Sequence, residues 1–152
     1  MKALIRCAWE KGADSSFGLP QYETAGSAGA DLRAQVPDGT ITLAPGACEL
    51  ISTGLHMQIP DGYEGQIRPR SGLALKYSIL LPNAPGTIDS DYRGVIGVIL
   101  LNAGRRDFQI VHGMRIAQIV IAPVRQADFT VGETLETTPR GRGGFGSTGV
   151  GA

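Results

Sequence analysis

The stretch GVIGVILLNAGRRDFQIVHGMRIAQIVIAPV, residues 94–124, decides the fold class. It holds three short runs rich in Val, Ile and Leu, namely GVIGVILLN, FQIVHG and RIAQIVIAPV, separated by Gly, Asn and Asp residues. Short β-branched runs bounded by turn residues are typical of β-strands. We therefore expect three consecutive strands in this part of the chain.

The same pattern continues outward in both directions. Seven further segments have it: ALIRCAW, DLRAQV, TITLAP, CELISTGLHMQIP, GQIRPR, YSILLP and FTVGE. The one predicted helix is short and lies near SGLALKY. Many short strands with frequent turn signals predict an all-β sandwich or barrel.

Length and composition limit the function classes. The chain has 152 residues, which indicates one domain, and its formal net charge is zero. Bulk charge therefore gives no reason to expect nucleic-acid or membrane binding. The 22 glycines and 9 prolines are scattered through apolar runs, so they indicate turns.

The cellular compartment is predicted from targeting and disulfide signals that the sequence does not show. Its N-terminal residues have no long apolar core of a secretory signal, and no apolar run approaches ~20 residues. Cys7 and Cys48 show no disulfide or zinc spacing. We expect a reduced, soluble, cytoplasmic protein.

The stretch GTIDSDYRG, residues 86–94, is the first candidate for chemistry. Asp89 and Asp91 are two residues apart, and on an extended segment they would share a face. One carboxylate could orient and deprotonate a water, or both could bond local turn amides. Tyr92 could be sheet core, or its ring could pack on a flat or sugar-like ligand.

A second constellation lies in RPRSGLALK, residues 68–76. Arg70, Ser71 and Gly72 offer a guanidinium fork, a hydroxyl and open backbone amides, which are the donors that a phosphate chain needs. The alternative is a solvated basic turn. Asp31 in AGADLRA could begin a strand, and Gln118 in RIAQIVI must be hydrogen-bonded to a neighbouring strand or to a ligand.

The chain closes with RGRGGFGSTG, residues 140–149. This segment lacks apolar periodicity, and it predicts a mobile basic tail that can cover an anion. We therefore divide the chain into a β-barrel domain, residues 1–136, and a glycine-rich tail, residues 137–152. The tail contains a G-x-G-x-x-G pattern, but no strand–helix context follows it, so dinucleotide binding is rejected.

Five segments in order, AGADL, RSGLA, GTIDSDYRG, RIAQI and RGRGGFGSTG, closely resemble the motifs of the trimeric deoxyuridine triphosphatase (dUTPase) family. The resemblance implies a β jelly roll assembled as a homotrimer, with active sites at the subunit interfaces. It also implies an enzyme that hydrolyses dUTP to dUMP and pyrophosphate with Mg²⁺, supplying dUMP for dTMP synthesis and excluding uracil from DNA.

The resemblance assigns a role to each matching residue. Asp89 matches the catalytic carboxylate that holds the attacking water, and Tyr92 matches the tyrosine under the deoxyribose. Four residues match the β-hairpin that grips uracil, largely through backbone groups: Asn83, Thr87, Ile88 and Gly97. Four match the phosphate-chain contacts: Arg70, Ser71, Gly72 and Gln118. Asp31 matches the aspartate that reaches Mg²⁺ through water.

The tail residues match the closing segment of the family. Phe145 is expected to stack over uracil, and three residues are expected to take the γ-phosphate: Arg140, Ser147 and Thr148. Two glycines, Gly143 and Gly144, are expected to let the backbone come close. Gly146 is also assigned to substrate binding. Arg142 departs from the small or acidic residue expected there, and the sequence leaves its role open.

Two other classes stay open. A dCTP deaminase shares the jelly-roll trimer but uses a glutamate near the base, and no Glu lies between Glu64 and Glu133 here. A trimeric nucleotide-binding module without activity would be indicated by loss of Asp89, which is present.

Overall fold

A computed structural model describes residues 3–144 of the chain. The strands in this part are β1 Arg6–Trp9, β2 Ala30–Arg33, β3 Thr40–Leu43, β4 Cys48–Gln58, β5 Tyr63–Arg68, β6 Ile79–Leu80, β7 Gly86–Ile88, β8 Val95–Asn102, β9 Phe108–Val111 and β10 Arg115–Pro123. One α-helix, α1 Ser71–Tyr77, and one 3-10 helix, Ser15–Phe17, complete it. The all-β prediction is confirmed.

All the paired strands are antiparallel. One sheet has the order β1-β4-β8-β6, a second has the order β2-β10-β5-β7, and β3 pairs with β9 in a two-stranded sheet. Strands that follow one another in sequence therefore fall repeatedly into different sheets. This exchange between two sheets gives the jelly-roll-like arrangement.

The core is built from the inward faces of the sheets. Along β8, Ile96, Val98 and Leu100 are fully buried, and the residues between them are half-buried. This is the period-2 alternation of a strand with one face in the core. The second sheet contributes Ile67 and Ile119 to the same apolar cluster.

Two local predictions differ from the structure. The short strand β7 was not among the predicted strands, because three residues carry almost no alternation. The predicted strand FTVGE is wrong, since residues 129–133 form no strand and the side chains of Phe129 and Val131 are fully exposed. Within the described residues no neighbouring strand offers that segment a hydrogen-bonded ladder. By contrast, α1 spans the predicted SGLALKY segment.

Beyond Pro123 the described chain, to residue 144, contains no helix and no strand. The boundary between domain and tail at residue 136 stays a prediction. Over residues 3–144, we find no helix of the length and apolar character needed to cross a membrane.

Asn102 at the end of β8 is a buried polar residue with every hydrogen-bonding group used. Its Nδ2 donates to the carbonyls of Leu43, at 2.7 Å, and Arg106, at 2.8 Å. Its Oδ1 accepts from the Gly104 N–H at 2.9 Å. One amide thus joins the end of β3 to the turn between β8 and β9, at zero exposure.

Replacing Asn102 with Ala removes the side-chain partner of the buried Leu43 carbonyl and of two partly buried backbone groups, the Arg106 carbonyl and the Gly104 N–H. We expect Asn102→Ala to lower the free energy of unfolding by about 2–4 kcal/mol, measured by urea denaturation at one fixed protein concentration. Gln126→Ala, at an exposed position after the last strand, is the control and should change little. A loss below about 0.5 kcal/mol for Asn102→Ala would contradict this account.

Candidate functional site

A pocket opens between the two four-stranded sheets, and we call it the inter-sheet pocket. It is lined by Leu50, Ile67, Asn83, Gly86, Thr87, Ile88, Asp89, Tyr92, Val95, Gly97 and Ile99. All six residues predicted from the GTIDSDYRG stretch and its flanks line this pocket, namely Asn83, Thr87, Ile88, Asp89, Tyr92 and Gly97. The apolar floor, formed by Leu50, Ile67, Val95 and Ile99, was not foreseen, because such residues look like ordinary strand core.

The backbone around this pocket has open edges. β7 is the last strand of its sheet and pairs only with β5 in the described chain. β8 pairs with β6 only at Leu101 and Asn102, so its earlier residues have no ladder partner on that side within residues 3–144. β7 and β8 form no ladder with each other, in contrast to the hairpin implied by the resemblance. Unpaired N–H and C=O groups of two strands are thus available at the pocket.

Glycines shape the pocket by their missing side chains. A Cβ on Gly97 would lie 2.7 Å from Leu50 Cδ1, so the floor closes onto the β8 backbone only because Gly97 has none. A Cβ on Gly86 would lie 3.0 Å from Asn83 Nδ2. The Asn83 amide therefore packs against the start of β7.

Asp89 begins the six-residue loop between β7 and β8, and its side chain is exposed at the pocket. The Tyr92 N–H donates to the Asp89 carbonyl at 3.2 Å, which closes a turn over residues 89–92. The expectation of an extended segment with Asp89 and Asp91 on one face is therefore wrong. Asp91 lies within the turn and does not line the pocket, so the structure distinguishes the two carboxylates.

Tyr92 folds back over the end of its own loop. Its hydroxyl donates to the Val95 carbonyl at 3.1 Å. A Cβ on Gly94 would lie 2.5 Å from Tyr92 Cζ and 3.0 Å from Cε2. The ring therefore rests directly on the Gly94 backbone, and 43% of Tyr92 is exposed, toward the pocket it lines.

A second pocket, the arginine pocket, is lined by Glu23, Ser27, Ala28, Gly29, Asp31, Arg70, Ser71, Gly72, Leu73, Lys76, Tyr77 and Gln118. It brings together all five residues predicted from AGADL, RSGLA and RIAQI. Asp31 comes from β2, Gln118 from β10, and Arg70 precedes α1, which begins at Ser71. Antiparallel pairing places Gln118 directly opposite Asp31.

Arg70 in this pocket and the neighbouring Arg115 are both paired with carboxylates. Arg70 Nε donates to Asp31 Oδ1 at 2.9 Å, and Arg115 Nη1 donates to Asp31 Oδ2 at 3.1 Å. Arg115 Nη1 also donates to Glu23 Oε1 at 2.9 Å. Two arginines and two carboxylates thus balance each other in charge. Arg115 and Glu23 were missed, since one opens a strand and the other lies in a loop outside every motif.

Gln118 has a partner within the protein. Its Nε2 donates to the Pro69 carbonyl at 2.9 Å, immediately before Arg70. A Cβ on Gly29 would lie 2.9 Å from Gln118 Cδ, so this glycine leaves room for the amide. Gln118 is therefore hydrogen-bonded to the backbone just past the end of β5, and this bond places the Arg70 segment.

The two pockets are separate in a single chain. Over the described residues they share no lining residue, and no residue of 137–144 lines either one. Arg140 Nε donates locally to the Gly143 carbonyl at 2.9 Å. Gly143 and Gly144 are half-buried at the end of the described chain, whereas Phe145, Gly146, Ser147 and Thr148 lie outside the described residues.

Among residues 3–144 there is no group of three or more His, Cys, Asp or Glu side chains that could hold a metal ion. Asp31 is a single carboxylate whose two oxygens already accept guanidinium N–H groups. Such a donor set suits a cation held mainly by ligand phosphates and water, and not one held by the protein alone.

The chain is similar to known proteins over almost its full length. The profile of the dUTPase family matches residues 15–149. The deoxyuridine 5'-triphosphate nucleotidohydrolase of Roseobacter denitrificans is 63% identical over 145 residues, covering 95% of each chain. The dUTPase of Staphylococcus bacteriophage 80alpha, solved with dUPNHPP, is 26% identical with a TM-score of 0.85, covering 97% of this chain and 99% of that chain.

A mutant dUTPase of phage phi11 of S. aureus, whose structure describes the coordination of a structural Mg(II) ion, has a TM-score of 0.74. It is 22% identical, and the superposition covers 86% of this chain and 97% of that chain. At this level of sequence identity, the similarity supports a shared fold only.

The contact between Gly94 and the Tyr92 ring can be tested directly. We expect Gly94→Ala to displace the ring, because the new Cβ would overlap it. In protein labelled with 3-fluorotyrosine, the fluorine resonance of Tyr92 should move, while those of Tyr22, Tyr63 and Tyr77 should stay. Gly26→Ala is the matched control, since a Cβ there meets nothing within 4 Å. An unmoved Tyr92 resonance would refute the contact.

Proposed function

The chain belongs to the dUTPase family, and we propose that it hydrolyses dUTP to dUMP and pyrophosphate by attack of water on the α-phosphorus. The observation that carries this proposal is the inter-sheet pocket, in which Asp89 and Tyr92 stand beside the open edges of β7 and β8. This activity belongs to deoxynucleotide metabolism. It supplies dUMP for dTMP synthesis and keeps uracil out of DNA, and we place it in the cytoplasm.

Uracil is the base that we assign to the inter-sheet pocket. Its two carbonyls and its N3–H match unpaired backbone donors and acceptors of β7 and β8 near Thr87, Ile88 and Gly97. Asn83 packs on Gly86 at the same place. A slot that hydrogen-bonds its substrate rejects analogues whose groups leave buried donors or acceptors unpaired.

Tyr92 is assigned to the deoxyribose. Its ring is fixed by the hydroxyl bond to Val95 and by contact with Gly94, so it cannot withdraw readily from the sugar. A ring held against the 2′ carbon excludes a 2′-hydroxyl. Discrimination between dUTP and UTP then follows from packing.

Asp89 is assigned as the general base that orients the attacking water. Its carboxylate is exposed at the pocket, and it forms no ion pair within the described part of the chain. Both oxygens are therefore available to a water. Since pyrophosphate is the leaving group, no covalent nucleophile is needed.

The phosphate chain is assigned to the arginine pocket. Arg70 offers its guanidinium, and Ser71 and Gly72 offer a hydroxyl and backbone amides at the first residues of α1. Gln118 borders the same space. Because one chain places these groups and Asp89 in separate pockets, we propose a homotrimer in which each active site combines pockets of neighbouring subunits.

Mg²⁺ is the proposed cofactor. The residues fit an ion bound through phosphate oxygens and water, with Asp31 in contact with one of those waters. When bound, Mg²⁺ neutralises part of the triphosphate charge. We assign the tail to ligand closure, with Phe145 on the base and Arg140, Ser147 and Thr148 on the γ-phosphate. Gly143, Gly144 and Gly146 allow close approach of its backbone.

A pyrophosphate-release assay tests the function. With Mg²⁺ present, we expect turnover of dUTP at kcat/KM well above that of dCTP, dTTP and UTP, and loss of turnover with a chelator. Deamination of dCTP would identify the related deaminase instead. Binding of dUTP without any turnover would identify a regulatory module, and equal use of dUTP and UTP would contradict the role of Tyr92.

The general base can be tested by an almost isosteric change. Asp89→Asn should keep dUTP binding and lose about 10²–10⁴-fold in kcat, because an amide cannot accept the proton of the water. Asp91→Asn is the matched control, since Asp91 lies outside the pocket, and it should stay near wild type. The reverse result would assign the base to Asp91.

A further inference from the structure

His56 lies on β4, opposite Val95 of β8 and Ala8 of β1. Its two ring nitrogens both face oxygen acceptors. Nδ1 lies 2.8 Å from the carbonyl oxygen of Arg93, and Nε2 lies 3.0 Å from Glu10 Oε2. His56, Arg93 and Glu10 do not line either of the pockets described above. Arg93 nevertheless belongs to the loop between β7 and β8, residues 89–94, which we call the Asp89 loop.

This geometry suits a doubly protonated ring. A neutral imidazole carries one N–H and can donate to only one of two acceptors, whereas the imidazolium donates to both. Hydrogen bonding to the Arg93 carbonyl, and then to the Glu10 carboxylate, raises the pKa of His56 despite partial burial. The Lys11 N–H and the His56 ring lower the pKa of Glu10, which keeps the carboxylate charged.

The other side-chain hydrogen bonds that stabilise the Asp89 loop are made by the loop's own residues. The Arg93 guanidinium turns back to donate to the carbonyls of Ser90, at 2.7 Å, and Tyr92, at 2.8 Å. The Tyr92 hydroxyl reaches Val95. Among residues 3–144, His56 is the only residue outside the loop whose side chain hydrogen-bonds residues 89–94.

We propose that His56 is a positioning residue for the hydrolytic site, because its ring, clamped between Glu10 and the Arg93 carbonyl, fixes the backbone between two pocket residues, Tyr92 and Val95. Glu10 acts through His56 by holding the ring in place. This inference rests on the proposed dUTP hydrolysis and adds to it two residues that touch neither base, sugar nor phosphate.

The two hydrogen bonds of the His56 ring, to Glu10 and to the Arg93 carbonyl, depend on pH. The imidazolium is the main form below its pKa in the folded protein and is lost as pH rises through that value. The neutral ring then turns a lone pair toward either the carbonyl or the carboxylate. The charged side chains in contact with this region are Glu10, on the ring, and Arg93, which points to its own loop.

The experiment uses the full-length protein and measures kcat/KM for dUTP from about pH 6 to about pH 9. The terminal phosphate titrates in every variant, so the readout is the ratio of wild type to His56→Gln. We expect this ratio to be about three- to tenfold at low pH and to fall toward one across the His56 titration, which ring NMR measures independently.

A second variant, Glu10→Gln, is measured in the same way. Removing the carboxylate should move the His56 titration and the decline in activity to lower pH by the same amount. His112→Gln is the matched control, because the second histidine bonds Val36 and Asp14 away from the Asp89 loop. Its ratio to wild type should stay flat across this range.

The outcomes separate the two proposals. A pH-independent ratio, or a shifted NMR titration without a shifted activity profile, overturns the role of His56 and leaves dUTP hydrolysis standing. Wild-type protein without dUTP turnover overturns both.

Discussion

β7 and β8 follow each other in sequence but belong to different sheets, and the site depends on this separation. If the two strands formed a hairpin ladder, their backbone groups would bond each other and the space between them would close. Because β7 pairs with β5 and β8 with β4, one edge of each stays unpaired at the pocket within the described chain. An unpaired edge normally invites another strand. Here it offers fixed donors and acceptors to a flat, polar ligand such as uracil.

The two carboxylates assigned to chemistry differ in their surroundings, and this difference separates their roles. Both oxygens of Asp31 accept guanidinium N–H groups, so a nucleophilic water has little access to them. Asp89 lies on an exposed loop, with no ion pair in the part of the chain that the structure describes. A water can reach it. The pairing of Arg70 with Asp31 also means that an incoming phosphate must compete with a carboxylate for the guanidinium.

The sequence predicted those features that depend on local pattern. Alternating β-branched runs located nine of the ten strands, and the short apolar segment SGLALKY located α1. The predictions that failed depend on which groups contact each other in the folded chain. FTVGE has strand composition, but a strand also needs a neighbour, which composition does not reveal. Asp89 and Asp91 looked equivalent on an extended chain, and only the turn closed by the Tyr92 N–H separates them.

The candidate site shows the same division. Residues inside or beside the five motifs were predicted because the order of the motifs matches a known family. Those from Asp31 to Gln118 lie in the two pockets, whereas Arg140, Gly143 and Gly144 line neither. Arg115, Glu23 and Gly94 were not assigned roles. The roles of Arg115 and Glu23 come from ion pairs across 84 and 92 residues of sequence, and that of Gly94 comes from the ring it supports. Arg115 and Gly94 lie inside motifs, but their roles require coordinates, because a motif does not reveal which distant group a residue contacts.

The separation of the two pockets links the fold to assembly. The two pockets share no lining residue in the described chain, so a nucleoside triphosphate that reaches Asp89 and Arg70 together has to contact two separate pockets. Large apolar side chains are exposed beside both pockets, with Leu50 68% exposed at the first and Tyr77 53% exposed at the second. Exposed apolar groups at the rim of a polar site are typical of surfaces covered by a partner. Covering these surfaces with a second copy would bury both exposed side chains and complete the site at once, so stability and activity would depend on the same contact.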